Sequence, residues 1–513
     1  MNYLFIIMHD IGRRYGCYGN SQIVTPNIDK LAEESVRFNN HYCQFPLCGP
    51  SRANIFSGLR PLFTERFDNE AFFPKFREAL KKQRGMDLKT LPELFKENGY
   101  ETFGAGLVFH DVDDPLSWSK GFFRPELPKL PEGLPKSMRV FNENSPNPWV
   151  NRDSFDLITI RMENLKKMGI PDEEIFTPSG LRKVKGPPVE SGEVDDSIYF
   201  DGQTTERIVR YIREVNEQRP FFIAAGFTAA HLPWNSPSKY WDLYDRESLE
   251  RPENREPPLG TTDWAMGDSE PAQYYTQHGY EKPWLANREQ SLELMHGYYA
   301  AISYIDTMVG RLIDALKEKG LYDDTAIILV SDHGFHTAEH GYWGKHNLWD
   351  KSLEVPLLIR VPTSANISEN INVVPGPRSN GLTEHVDIFP TLCDMAGIEP
   401  PGYLQGNSLL PLMKEPQASG QGGKEAVFSH RKHQWHDRIK AYSVAHSVRA
   451  EEYRYSVYLD NKENIIYEEL FDYKNDPFES RNLARDSSYR IKCIQLRNLI
   501  DKKLKEDREK WQY

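Results

Sequence analysis

The sequence predicts an α/β protein: a doubly wound, mostly parallel sheet over residues 1–380, with a smaller α+β subdomain over residues 381–513 packed against it. Three observations carry this. Short apolar, β-prone runs recur at wide spacing, as at Asn2–Met8, Phe221–Gly226 and Thr325–Val330. Segments with helical spacing of apolar residues lie between them, and strands alternating with helices imply a parallel sheet covered on both faces. After about residue 380 the texture changes to closely spaced strand-like runs and a charged helix.

Taken in order, Asn2–Met8 is the first strand, ending in His9-Asp10, where the chain becomes glycine-rich at Gly12, Gly16 and Gly19. Thr25 through Ala32 reads as a capped helix with Pro26 just inside its start. Cys48 begins a further helix, with Pro50 early and Gly58 as its stop. A helix near residues 90–98 starts at Thr90 and stops at Gly99, and a strand follows over Tyr100–Gly104. Another helix runs from about Asp195 to Asn216 into the strand at Phe221. The longest runs from about Arg288 to Lys319, with Leu292, Met295, Tyr298, Ile302, Ile305, Met308, Leu312 and Leu316 at helical spacing. Val355–Ile359 is a further strand and Val386–Ala396 a short helix. The subdomain holds runs at Ala426–Ser429, Tyr442–Val448 and Tyr453–Leu459 and a charged helix near Ser488–Lys505. Two stretches, about 111–190 and 235–287, break the pattern and are rich in Pro, Asn, Trp and charge. Long stretches of this kind are commonly functional, so they are expected to frame the mouth of a pocket.

A net charge of −12 argues against a nucleic-acid-binding surface. No apolar run reaches membrane-spanning length, which predicts no membrane partner. Cysteines at 17, 43, 48, 393 and 493 form no spaced framework and no C-x-x-C, which excludes a common type of structural zinc site. Their odd, scattered number suits a reducing compartment. With no secretory leader pattern before the first strand, the expectation is a cytoplasmic protein if Met1 is the natural start.

Reactive residue types gather at the ends of the predicted strands, where open α/β sheets bind ligands. Asp10 follows the first strand. Cys48-Gly49-Pro50-Ser51-Arg52 fits the pattern C-x-P-S-R, with Phe56-Ser57-Gly58 behind it. Ser331-Asp332-His333-Gly334 follows the strand at 325, then Gly344-Lys345-His346. His110 closes Gly106-Leu107-Val108-Phe109-His110, and His231 follows the strand at 221. Singly, these read as a helix start, a β-turn and structural histidines. Together, in this order, they resemble the sulfatases of the alkaline phosphatase superfamily, most nearly the iduronate-2-sulfatase type. Phe95 through Tyr100, Ser117-Trp118-Ser119 and the tail around Leu470-Phe471-Asp472 share the likeness, which runs from about residue 2 to about residue 480.

The resemblance implies an alkaline-phosphatase-like fold and a sulfuric ester hydrolase. It implies that a formylglycine-generating enzyme oxidises Cys48 to formylglycine, whose hydrate is the nucleophile. It further implies one divalent metal held by Asp10, residue 48, Asp332 and His333. Calcium is the family's usual ion. An imidazole from His9, which stands where the family has an aspartate, would tilt the site toward Mn²⁺ or Zn²⁺. Arg52, one turn along the helix, is expected to reach the hydrated aldehyde or the metal's surroundings. Lys345 would neutralise sulfate oxygens. His231 is the candidate acid for the leaving oxygen and His110 the candidate base, with the two roles exchangeable. His41, His346, His385, His433 and His436 receive no role. Two further departures stand out. Leu107 replaces a sulfate-binding lysine, and Thr228-Ala229-Ala230 replaces a more polar approach to His231. Lys345 and Arg52 then carry more of the anion binding, or a cation from the 111–190 stretch fills the gap. The expected substrate is a small anionic ester: a sulfate monoester of a sugar or an aryl alcohol. A phosphonate monoester or phosphodiester hydrolase is the alternative, and a catalytically weakened binding protein the third reading.

Overall fold

The computed structural model describes residues 1–69, 73–110, 112–181, 183–216, 218–267, 269–275, 286–362, 373, 376–415, 423–432 and 443–509. An eight-stranded sheet forms its centre, in the order Arg378–Glu384, Val36–Tyr42, Glu354–Arg360, Thr325–Ser331, Asn2–Met8, Phe221–Gly226, Glu101–Gly106 and Phe122–Phe123. Its neighbours run parallel except Glu354–Arg360, which is antiparallel to both Thr325–Ser331 and Val36–Tyr42.

The first strand sits in the middle because both of its faces are apolar. Successive side chains of a strand point to opposite faces. Leu4, Ile6 and Met8 enter one hydrophobic layer with the long helix Arg288–Glu318 and with Ile208 and Ile212 of the helix Phe200–Glu214. Tyr3, Phe5 and Ile7 enter the other with Ile55, Phe56, Leu94 and Phe95. Burial on both faces is what a parallel sheet requires. The register pairs Ile7 with Gly226 and Met8 with Ser331, so three strands end at one height and release His9-Asp10, Phe227-Thr228 and Asp332-His333 side by side.

The helix starts are explained locally. Thr90 caps Leu91–Glu97 in a reciprocal pair with Glu93, and Asn287 does the same with Gln290 ahead of Arg288–Glu318. The strand expected over Tyr100–Gly104 spans Glu101–Gly106. The run expected from Tyr442 starts as a strand at Val444; Tyr442 itself lies outside the described residues. The 111–190 stretch is irregular over about half its length but carries helices, notably Arg152–Lys167.

A second sheet, antiparallel throughout, joins Ala426–Lys432, Val444–Ala450, Tyr453–Leu459 and Ile465–Asp472, and the helix Arg490–Glu509 packs on it. The boundary at 380/381 falls inside the strand Arg378–Glu384, which pairs with the main sheet. The helix Ile388–Ala396 also buries Ile388, Phe389 and Leu392 in the main core. Among the described residues no helix is long and apolar enough to cross a membrane.

Candidate active site

Cys48 is the first residue of the helix Cys48–Ser57 and lies buried beneath the ends of the three central strands. Its Sγ is 2.9 Å from His9 Nε2 and 3.3 Å from His333 Nε2. His333 Nδ1 lies 3.0 Å from the carbonyl of Gly334, an acceptor, so Nδ1 carries the proton and Nε2 presents a lone pair to the site. Asp10 follows directly on the first strand with φ 59°, a left-handed conformation costly for a residue with a Cβ. Two contacts hold it there: its amide donates to Asp332 Oδ1 at 3.1 Å, and Tyr298 of the long helix donates to its carbonyl at 2.7 Å. Gly106 and Gly226 let the neighbouring strand ends close together, since a Cβ on Gly106 would meet the carbonyl oxygen of Gly226 at 2.1 Å. This approach brings the segment Leu107–His110 over the site.

Charge is dense and almost wholly buried. Lys345 Nζ lies 2.8 and 2.7 Å from the two oxygens of Asp10. Burial raises the Asp10 carboxyl to about 6, against the pull of Lys345 and His333. Burial works to lower the Lys345 ammonium, but Asp10, Cys48 and Glu270 more than offset it and its pKa ends well above the usual lysine value. Asp332 is held below the usual carboxylate range: burial opposes this, and His333 and Arg52 prevail. The Cys48 thiol is pushed well up by burial, more than Lys345 lowers it. Burial, then His231 and Arg52, keep His9 well below its ordinary value, so it is neutral.

His9, Asp10, Cys48 and His333 each offer one ligand atom, all within 4.8 Å of one another. Asp332 adjoins them, with Oδ2 3.6 Å from His9 Nε2 and Oδ1 3.7 Å from His333 Nε2. Neutral imidazoles, carboxylates and a sulfur-bearing residue converging in a buried pocket fit a divalent cation.

Arg52 takes the second of its two expected places, beside an expected metal ligand. Its Nε donates to Asp332 Oδ2 at 3.0 Å, and its other nitrogens donate to the carbonyls of Met8, Val108 and Leu107. Fully buried, it clamps Asp332 and two chain segments. The reason is the supply of acceptors: strand ends expose carbonyls, and a guanidinium has five donors to meet them.

His231 and His110 stand on the open side. The His231 ring centroid is 4.5 Å from that of His9, and its Nε2 is 4.0 Å from Asp10 Oδ2. Nδ1 lies 2.7 Å from the carbonyl of Leu232 and so carries a proton, while burial and then Lys345 push the ring down to about 3. The His110 ring lies 6.4 Å from His9, with backbone φ 135°. Above them opens a cleft of about 530 Å³, lined among others by Asn69, Leu107, Arg124, Ser145 and Thr204.

Sequence reasoning missed three contributors. Glu270, in the 235–287 stretch, lies 3.8 Å from Lys345 Nζ and 3.3 Å from His346 Nε2. Burial works to raise its carboxyl, but Lys345 and His346 hold it below the usual carboxylate range. His385 and His41 form a buried chain behind the site: His385 Nε2 donates to the carbonyl of Asp332 at 2.8 Å, and His41 Nε2 meets His385 Nδ1 at 2.9 Å. Nothing in local sequence marks Glu270. Glu384-His385-Val386-Asp387 carried a signal as a capped helix start, but its contact with Asp332 is long-range. His433 and His436 lie outside the described residues.

A buried cysteine at a helix start, joined to carboxylates, imidazoles and a lysine at the end of a parallel sheet, defines a class of α/β enzymes acting on anionic esters. The chain belongs to the sulfatase family, whose model matches residues 1–398, and that family comprises sulfuric ester hydrolases. A second model, N-sulphoglucosamine sulphohydrolase, C-terminal, matches residues 338–510. Human iduronate 2-sulfatase is 27% identical, covering 95% of this chain and 92% of that protein. Choline-sulfatase of Rhizobium meliloti is 27% identical over 90% of this chain and 78% of that protein. Among solved structures, a protein in complex with its substrate D-glucosamine-2-N,6-O-disulfate superposes with TM-score 0.72 at 19% identity, covering 99% of this chain and 98% of that one. The phosphonate monoester hydrolase of Agrobacterium radiobacter superposes with TM-score 0.68 at 22% identity, covering 99% and 95%. At these identities the two structures share the fold.

Proposed function

We propose that the protein hydrolyses a sulfate monoester of a small sugar or aryl alcohol, with residue 48 converted to formylglycine. The observation that carries this is the placement of Cys48 Sγ 2.9 Å from His9 and 3.3 Å from His333, beside Asp10 and Lys345 and below the polar cleft. The thiol itself is a poor nucleophile here, because burial keeps it protonated. When present, the formylglycine hydrate supplies an oxygen nucleophile and a second hydroxyl whose deprotonation frees the sulfate, and a divalent cation held by His9, Asp10, Asp332 and His333 supplies charge for that oxygen.

The chain's own side chains do the rest. Lys345 meets the incoming anion in a site closed to water, where its charge counts most. His231 rests neutral with Nε2 toward the site; anionic charge entering beside it raises its proton affinity, so the bound ester loads the acid that protonates the leaving oxygen. His110, on the cleft wall, takes the complementary proton. Arg52, His385 and Ser51 fix Asp332, the latter two through its carbonyl. The unbridged Cys17, Cys43, Cys393 and Cys493 support a reducing, cytoplasmic setting for the enzyme.

Loss of the lysine at Leu107 favours a second reading, a phosphonate monoester or phosphodiester hydrolase with the same nucleophile. Mass measurement of the peptide spanning Cys48, with rates on an aryl sulfate, an aryl phosphonate monoester and a phosphate diester, tests both. An unmodified cysteine in active protein overturns the nucleophile. A dominant rate on either phosphorus ester overturns the sulfatase reading.

A further inference from the structure

The cleft wall carries Leu107 where the resemblance would place a lysine, yet the pocket must still hold an anion. Lys345 is already bonded to both oxygens of Asp10. Among the described residues lining the cleft, Arg124 is the one lysine or arginine. Its position is set by the sheet. Phe122–Phe123 pairs in parallel with Gly104 and Ala105 of the neighbouring strand. The next residues are Arg124 on one side and Gly106, then Leu107, on the other. Arg124 is thus delivered by a strand end to the wall where the lysine is missing. Its depth differs from that of the reacting groups: Cys48 and His9 are buried, whereas Arg124 is exposed at the rim. Carboxylates share this wall with it. Asp201 accepts from the amides of Thr228 and Ala229 and from the Thr228 hydroxyl. Glu143 shares the lining, and Asp113 lies within the field of Arg124.

We propose that Arg124 is a specificity-determining residue that pairs with a second anionic group on the substrate, a carboxylate or a further sulfate, while the reacting sulfate sits below it at Lys345. The inference rests on the sulfatase reading. A planar guanidinium suits either oxyanion through paired N–H donors.

The test compares substrates that differ by one anion. One pair is glucosamine-2-N,6-O-disulfate against N-acetylglucosamine 6-sulfate; the other is glucuronate 2-sulfate against glucose 2-sulfate. In wild type the doubly anionic member of at least one pair is preferred in kcat/KM, and the pair that shows the preference identifies the second anion. Arg124→Ala lowers that preference about ten- to hundredfold, mainly through KM, and Arg124→Lys retains much of it. Calorimetric binding of the same sugars to Cys48→Ala protein, with and without Arg124→Ala, reads the same preference without turnover. Equal losses by Arg124→Ala on both members of each pair would place the guanidinium on the reacting sulfate and overturn the proposal. So would an unchanged preference, or none in wild type. If wild type turns over no sulfate ester, the sulfatase reading fails by itself, and the calorimetric preference still decides on Arg124.

Discussion

At the scale of single residues, the site is a buried balance of charge in which each partner's state depends on the others. Cys48→Ala is expected to abolish turnover while thermal unfolding stays close to wild type, because the side chain faces the pocket rather than either apolar layer. Residual activity in Cys48→Ala protein free of wild type would remove the mechanism. Lys345→Ala removes one charge-assisted contact with the anion, worth about 1.5–3 kcal/mol, so kcat/KM falls by about one to two decades. Steady-state rates on an aryl sulfate check this, and wild-type behaviour would show that Lys345 does not meet the ester. Glu270 makes the opposite prediction. Its carboxylate, 3.8 Å from Lys345, draws on the charge that binds substrate. Glu270→Gln should tighten inhibition by inorganic sulfate by roughly three- to tenfold. Weaker inhibition would mean that Glu270 serves to orient Lys345. Asp10, Cys48, Asp332 and His333 were legible in the sequence because each lies beside a strong local signal, an apolar strand or a helix start, whereas Lys345 was named through the resemblance alone. Glu270 and Arg124 were not, because they sit in polar stretches where no periodicity shows which way a side chain faces. Arg52 was legible as a participant but not in its backbone contacts, since carbonyls from two separate segments meet it only in the fold.

At the scale of elements, the long helix Arg288–Glu318 does more than fill the core. It delivers Tyr298 to the carbonyl of Asp10, the residue held at φ 59°. Tyr298→Phe should cost about 1 kcal/mol in urea unfolding and also lower kcat several-fold, because the strained backbone beneath the site loses its tie. Asn287→Ala, at the start of the same helix, should cost about 1 kcal/mol through the lost cap but leave kcat near wild type. Equal kinetic effects of the two substitutions would show that helix stability alone matters. The central strands were readable as apolar runs because burial on two faces leaves no room for polar side chains. Val36–Tyr42 and Arg378–Glu384 were not read as strands. The first contains Arg37, Asn39, Asn40 and His41, and the second reads Arg-Ser-Asn-Gly-Leu-Thr-Glu. Both lie at the sheet's margin, where one neighbour or a loop covers them and pairing with Glu354–Arg360 and with each other, not hydrophobic pattern, makes them strands. The antiparallel turn of Glu354–Arg360 had no local signature either, since direction in a sheet is decided by the connection.

At the scale of the whole molecule, one carboxylate joins the catalytic sheet to the second sheet. Glu384 ends the edge strand and is fully buried. It pairs with Arg60, just beyond the nucleophile helix, and with Lys424, and it accepts from the amide of Phe428 in the first strand of the second sheet at 2.9 Å. Burial works to raise its carboxyl, but Arg60 and Lys424 hold it well below its ordinary value of 4.5. Breaking such a pair leaves the buried Arg60 without its carboxylate and Lys424 with Asp387 alone, so Glu384→Gln should cost about 3–5 kcal/mol at neutral pH. The pH dependence follows from the direction of the shift. A carboxyl whose folded pKa is depressed contributes stability that is fully present above its unfolded pKa and is lost as pH falls toward the folded one. The stability difference between wild type and Glu384→Gln should therefore be flat from pH 7 to about 5 and narrow progressively below about 4.5, where the unfolded chain takes up the proton first. Urea unfolding at a series of pH values, followed by tryptophan fluorescence, reads this directly. A difference that stays constant down to pH 3 would assign the loss to packing and hydrogen bonding at Phe428 rather than to charge. A difference that narrows as expected would make this carboxylate the acid-sensitive joint between the sheet that carries Asp10 and Asp332 and the sheet that closes over its edge.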